Sequence, residues 1–99
     1  MGVLSTTHAF TVNDEVSEIF NVPVSSNYMF FVTGVDDDSL GGGTISFESS
    51  PNGDIDNWLT IDTLPARGRI VRYLVNGEKV RIVICNATST PSCTAGIRQ

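Results

Sequence analysis

Few residues in this sequence have types and spacings that could do chemistry. His8 is the only imidazole, and a general base must lie within hydrogen-bond reach of the proton it takes. Standing beside Ser5, Thr6 and Thr7 near the chain start, it reads as a solvated or contact residue, and no Ser/His/Asp spacing specific to a hydrolase accompanies it. Asp36-Asp37-Asp38-Ser39-Leu40-Gly41 begins as a calcium loop does, but Leu40 stands where an oxygen ligand belongs and Phe47 where the closing glutamate belongs. It reads as a solvated loop, facing water or a basic partner surface. Asn52-Gly53-Asp54-Ile55-Asp56 also alternates oxygens, yet Asn57 replaces the turn glycine and Thr63 the closing acid. That stretch reads as a turn. Cys85 and Cys93 with a single histidine make no zinc ligand set; they are either two buried thiols or a facing pair near the base of the final hairpin. Trp58 is either a sugar-stacking platform or a ring packed on a neighbouring strand or subunit. The expectation is a protein that is not an enzyme, with no catalytic residue, metal or cofactor.

The elements that position these residues follow from a period of two in the apolar residues, with Val, Ile, Thr and Phe dominating the runs. Strands are expected near 6–12, 16–22, 28–35, 43–49, 58–63, 68–75, 78–85 and 93–98, and no segment makes a convincing helix. The fold class is all-β: a single-domain antiparallel β-sandwich or jelly roll of about eight short strands. Ninety-nine residues suit one domain, taken as 1–99 with residues 1–7 as a flexible N-terminal arm ordered by a neighbouring chain. Tyr28-Met29-Phe30-Phe31-Val32 is apolar on both faces, the mark of a central strand, and Thr44-Ile45-Ser46-Phe47-Glu48 should bury Ile45 and Phe47.

One register can be derived. Asn76-Gly77 between two β-rich runs is the two-residue type I′ signal, which pairs Val75 with Glu78, Tyr73 with Val80, Val71 with Ile82 and Arg69 with Ile84 on a core face. The other face then sets Arg72 directly against Arg81, beside Ile70, Leu74 and Val83. Two opposed guanidiniums destabilise a sheet unless an anion lies between them. Asp62 and Glu48 are the candidate partners within the chain, and the Asp36 to Asp38 loop of a neighbouring copy is the candidate in trans.

The net charge is −5, yet residues 1–65 hold ten carboxylates and no Lys or Arg, while Arg67, Arg69, Arg72, Lys79, Arg81 and Arg98 follow Pro65 against Glu78 alone. An acidic average disfavours nucleic acid as a partner. The split has two readings: acidic strands pair with basic ones inside the domain, or the two surfaces meet complementary copies or partners. The longest uncharged run, 19–35, is 17 residues and contains Pro23, a poor membrane span, so no membrane partner is expected. With neither a basic n-region nor an apolar h-region at the start, a cytosolic origin is the default. Met1-Gly2 with Thr6 fits myristoylation, and Asn86-Ala87-Thr88 fits glycosylation, by pattern only.

The run Tyr28 to Gly34, the strand Gly41-Gly42-Gly43-Thr44-Ile45-Ser46-Phe47, the turn Ser50-Pro51-Asn52-Gly53 followed by Trp58, and Gly77-Glu78-Lys79-Val80-Arg81 together carry a resemblance. Over about residues 28–98 the pattern resembles small β-sandwich virion structural proteins of tailed bacteriophages. The resemblance implies a capsid decoration or cement protein bound outside the major capsid protein lattice, made in the host cytoplasm and located in the virion. Its partners would be the major capsid protein or another virion protein, and copies of itself as a homo-oligomer. Tail, neck or baseplate roles, or a carbohydrate-binding module contacting the host surface, are the alternatives. No catalytic residue carries over. Partner contacts are expected at Arg72, Lys79, Arg81, Asp36, Asp37, Asp38, Trp58 and His8.

Overall fold

The computed structural model describes residues 5–99. Eight strands follow one another: β1 (Ser5–Phe10), β2 (Phe20–Asn21), β3 (Ser26–Gly34), β4 (Thr44–Ser50), β5 (Leu59–Leu64), β6 (Gly68–Leu74), β7 (Lys79–Cys85) and β8 (Cys93–Arg98), with one 3-10 turn over Asp37–Leu40. Alternating β-branched and aromatic residues build them, and Gly, Pro, Asn and Asp separate them. The segment expected as a strand over 16–22 keeps ladder geometry only at Phe20–Asn21 and in an isolated Val16–Val83 bridge. Between these, the Ser17 hydroxyl accepts from the Ile82 N–H at 2.8 Å, and the Ser17 N–H donates to the Ile82 carbonyl at 2.8 Å. A side chain there takes the place of a backbone acceptor, so the segment still follows β7 but irregularly.

Two four-stranded antiparallel sheets result, ordered β1-β8-β3-β6 and β2-β7-β4-β5. Strands β1 and β8, β2 and β7, β3 and β6, and β4 and β5 are each ladder neighbours. The chain is thus one long hairpin folded at the β4–β5 link and rolled into two layers, the jelly-roll arrangement. Between the sheets lie Phe10, Tyr28, Phe30, Ile45, Phe47, Ile82, Ile84 and Ile97, all fully buried. Phe30 and Phe47 stack across the layers with ring centroids 5.0 Å apart, an aromatic pair worth about 0.5–1.5 kcal/mol beyond its area. As the apolar run predicts, β3 is central, flanked by β8 and β6.

The derived hairpin does not form. β6 pairs with β3, whereas β7 pairs with β4 and β2, so the turn at Asn76-Gly77 carries the chain from one sheet to the other. Its geometry explains why. Of the two central residues only Gly77 takes a positive φ, +94°, whereas a type I′ turn needs positive φ at both, and unprimed turns splay the flanking strands apart. The β2–β3 link then ties the turn down: Gly77 N–H donates to the Val22 carbonyl at 3.0 Å and Asn76 N–H to the Ser25 hydroxyl at 2.8 Å. Two expectations fall with that hairpin. Val71, Tyr73 and Val75 are exposed (55%, 61% and 52%) instead of buried, while Leu74 turns inward, and Arg72 does not oppose Arg81.

The arm expected over 1–7 is corrected in part. Ser5, Thr6 and Thr7 pair with Arg98, Ile97 and Gly96 as the start of β1, because β8 offers them a full ladder; the remainder of the arm lies outside the described residues. Cys85 and Cys93 stand on opposite sheets as free thiols, so they do not form the base of a hairpin. Burial, with a smaller push from the Glu15 carboxylate, raises the Cys93 pKa.

Candidate interaction surface

The outer face of the β1-β8-β3-β6 sheet is set by the pleat. Opposed residues share a face, so the registers lay Thr7, Gly96, Phe31 and Arg69 in one row and Ser5, Arg98, Met29 and Val71 in the next, with Asn27 beside Tyr73 beyond them. The half over β1 and β8 is small and hydroxylated; the half over β3 and β6 is apolar. Gly96 allows this: a Cβ there would stand 2.4 Å from Phe31 Cζ, so the bare backbone lets the ring lie across β8. Met29, Phe31, Thr33, Arg69 and Arg98 line a shallow trough of about 450 Å³, its two guanidiniums set diagonally across β3.

Electrostatics distinguish this face. Arg67 pairs with Asp37 at 3.0 Å, Arg72 with Asp62, and Arg81 with Glu48 at 2.7 Å, while Lys79 Nζ donates to Asn21 Oδ1 at 2.7 Å. Arg69 and Arg98 have no carboxylate partner among the described residues, and no Asp or Glu stands at an outward position of this sheet. The face is basic on a chain of net charge −5.

The residues singled out from the sequence are dispersed around the fold. Arg81, Glu48 and Trp58 meet on the outer face of the other sheet, with the Arg81 guanidinium 4.3 Å from the centroid of the indole and Trp58 Nε1 donating to the Ile55 carbonyl at 2.7 Å. The ring is packed by a neighbouring strand, the second of the two readings open for Trp58. Arg72 reaches Asp62 between the edge strands β6 and β5, where the two sheets leave the sandwich open. The two carboxylates named as in-chain partners are thus the ones found, one per arginine. The triad Asp36 to Asp38 is exposed, as a solvated loop would be, and is also ordered as a turn. The Asp36 carboxylate accepts from the Asp38 N–H at 3.0 Å and the Ser39 hydroxyl from the Asp36 N–H at 3.1 Å, a capping box over a turn that buries Ser39 and Leu40. Gly41 closes that turn at φ +63°, where a Cβ would stand 2.2 Å from the Ser89 carbonyl oxygen.

His8 Nε2 bonds Glu15 Oε2, while Glu15 Oε1 accepts from the Thr11 and Val12 N–H groups at 3.2 and 3.3 Å. The hydrogen bond from His8 is the main reason the Glu15 pKa lies below the usual glutamate range, followed by that from Thr11. The carboxylate therefore clips the β1–β2 link to β1. Among the described residues no three His, Cys, Asp or Glu side chains come together as a metal site.

Arg69, Val71 and Tyr73 were missed as surface residues because the supposed hairpin turned the wrong face of β6 inward, and without that face Met29, Phe31 and Arg98 of β3 and β8 had no outer neighbours to join. The signal was present in β3, whose apolar residues on both faces imply a partner for the outer one. No protein-family model matches the sequence, and no curated protein matches it.

Proposed function

We propose that this chain is a virion structural protein, a decoration protein that docks on the major capsid protein lattice and stabilises the shell. The observation that supports this best is the exposed apolar strip of Val71 and Tyr73 on the edge strand β6 with Val75 just past its end. Soluble proteins blunt long apolar edges, because an exposed edge strand is a template for further contacts. Here the edge is held rigid by a two-layer core, so little ordering cost opposes docking. Jelly rolls occur in viral capsid and lectin domains, although a fold does not decide a function. A decoration protein acts by mass action: it binds the assembled lattice and not its dissociated subunits, and at a hundredfold excess over Kd each occupied site adds about 2.7 kcal/mol to the assembled state. The carbohydrate-binding alternative has less to rest on at Trp58, because the Arg81 guanidinium covers one face of its ring.

The test is sedimentation of the purified chain with shells and, separately, with tails from the phage that encodes it. Saturable binding to shells, lost in the Tyr73→Asp/Val75→Asp variant, supports the reading. Binding to tails alone, or equal binding by the variant, contradicts it.

A further inference from the structure

We infer that a second copy of this chain occupies the trough between Arg69 and Arg98, inserting its β4–β5 loop, Asp54-Ile55-Asp56. The inference rests on reading the β1-β8-β3-β6 face as a contact surface, and it names the occupant of the part that the β6 strip does not use. The trough offers an apolar floor, Met29 and Phe31, between two guanidiniums without carboxylate partners among the described residues. Its complement is an apolar plug flanked by carboxylates, and the same chain presents one. Ile55 is 58% exposed and lies between Asp54 and Asp56, with Leu59, 61% exposed, a few residues on.

The loop is built to hold that shape. Asn52 Oδ1 accepts from the Asp54 N–H at 3.0 Å, the Asp54 carboxylate accepts from the Asp56 N–H at 2.9 Å and from Asn57 Nδ2 at 2.6 Å, and the Trp58 indole donates to the Ile55 carbonyl. Preorganisation lowers the ordering cost of inserting the tip. Asp54 is partly engaged in this turn, so Asp56, which has no side-chain partner among the described residues, is the main carboxylate on offer. The Asp36 to Asp38 turn, the first candidate in trans, is a poorer match because Asp36 caps its own turn and Asp37 holds Arg67.

Two geometrical facts select the mode. The loop belongs to the opposite sheet, with the core between it and the trough, so the contact forms between chains. Stacking the face on its own copy would bring like guanidiniums together without an anion, an arrangement that costs affinity. The contact is therefore head-to-tail, and repeated it generates a ring or an open string, according to whether the rotation closes.

Analytical ultracentrifugation of the full chain decides this, using two folded charge-reversal variants of exposed residues, Arg69→Glu/Arg98→Glu and Asp56→Lys. The wild type should self-associate with concentration and dissociate as salt rises; each variant alone should self-associate roughly tenfold more weakly or worse. An equimolar mixture should recover association well beyond that of either variant alone, because the wild-type Asp56 loop of one variant meets the wild-type trough of the other, and the reversed loop and reversed trough are again of opposite sign. A wild type monomeric at all concentrations, or a mixture that stays monomeric, overturns the inference. If the wild type is monomeric while the Arg69→Glu/Arg98→Glu variant no longer sediments with shells, the occupant is the shell, and only the second copy is overturned.

Discussion

At the scale of single residues, the informative groups are the charged ones, because their partners fix what each can do. Arg81 is held on three sides, by Glu48 at 2.7 Å, by the Trp58 ring, and by a strand position half-buried in the second sheet. Arg81→Ala should therefore lower the stability of the free protein by about 1–2 kcal/mol, combining a charge-assisted hydrogen bond with a cation–π contact, and should shift Trp58 fluorescence. An unchanged urea midpoint would contradict the internal pairing. Glu15 makes a pH prediction. Its folded pKa is depressed, so the unfolded chain binds more protons through the acid range and stability rises with pH there. The contribution is complete above the ordinary glutamate pKa and is lost as pH falls through the lower folded value. In His8→Ala the Glu15 titration, followed by NMR, should move up toward the ordinary range, and the acid slope of stability should flatten. A titration unmoved by that substitution would mean that the backbone donors Thr11 and Val12 hold the carboxylate alone.

At the scale of elements, the turn at Asn76-Gly77 separates what local sequence specifies from what the assembled chain decides. Gly77 sits at φ +94° with open space around its Cα, so Gly77→Ala should cost about 1–2 kcal/mol through backbone strain alone. Asn76 lies outside the positive-φ residues, and Asn76→Lys should be nearly neutral in thermal melting. A comparable loss at both positions would restore the type I′ hairpin. Most strand positions were legible, since period-two alternation and turn residues are local signals; Thr44–Ser50 and Cys93–Arg98 fall within a residue of expectation, whereas the segment 16–22 pairs regularly only at Phe20–Asn21. Strand partners were not legible at this turn, because the same Asn-Gly pair serves a hairpin or a sheet crossing and the choice depends on Val22 and Ser25, more than fifty residues away. That one error hid the candidate surface. Placing β6 against β7 buried Val71 and Tyr73 on paper and made Arg72 and Arg81 neighbours, although their carboxylates, Asp62 and Glu48, were named correctly from strand alternation.

At the scale of the whole molecule, the uneven charge along the sequence is resolved in part by the first of the readings open to it, pairing inside the domain. Three of the six cations, Arg67, Arg72 and Arg81, meet carboxylates from the acidic part of the chain inside the domain. Arg69 and Arg98 stay on the outer face of one sheet, next to apolar residues that the core does not use. The result is a rigid two-layer body with an acidic surface, one basic and apolar face, and a preformed acidic loop on the opposite sheet. Such a body suits repeated contacts, in which each pairing contributes little and the array contributes stability. The most direct test of this account is the difference density between phage particles with and without the chain. The account predicts extra density outside the capsid lattice, fitted by the jelly roll with the Val71, Tyr73 and Val75 strip against the shell. Density on the tail, or a jelly roll docked with that strip turned to solvent, would contradict it.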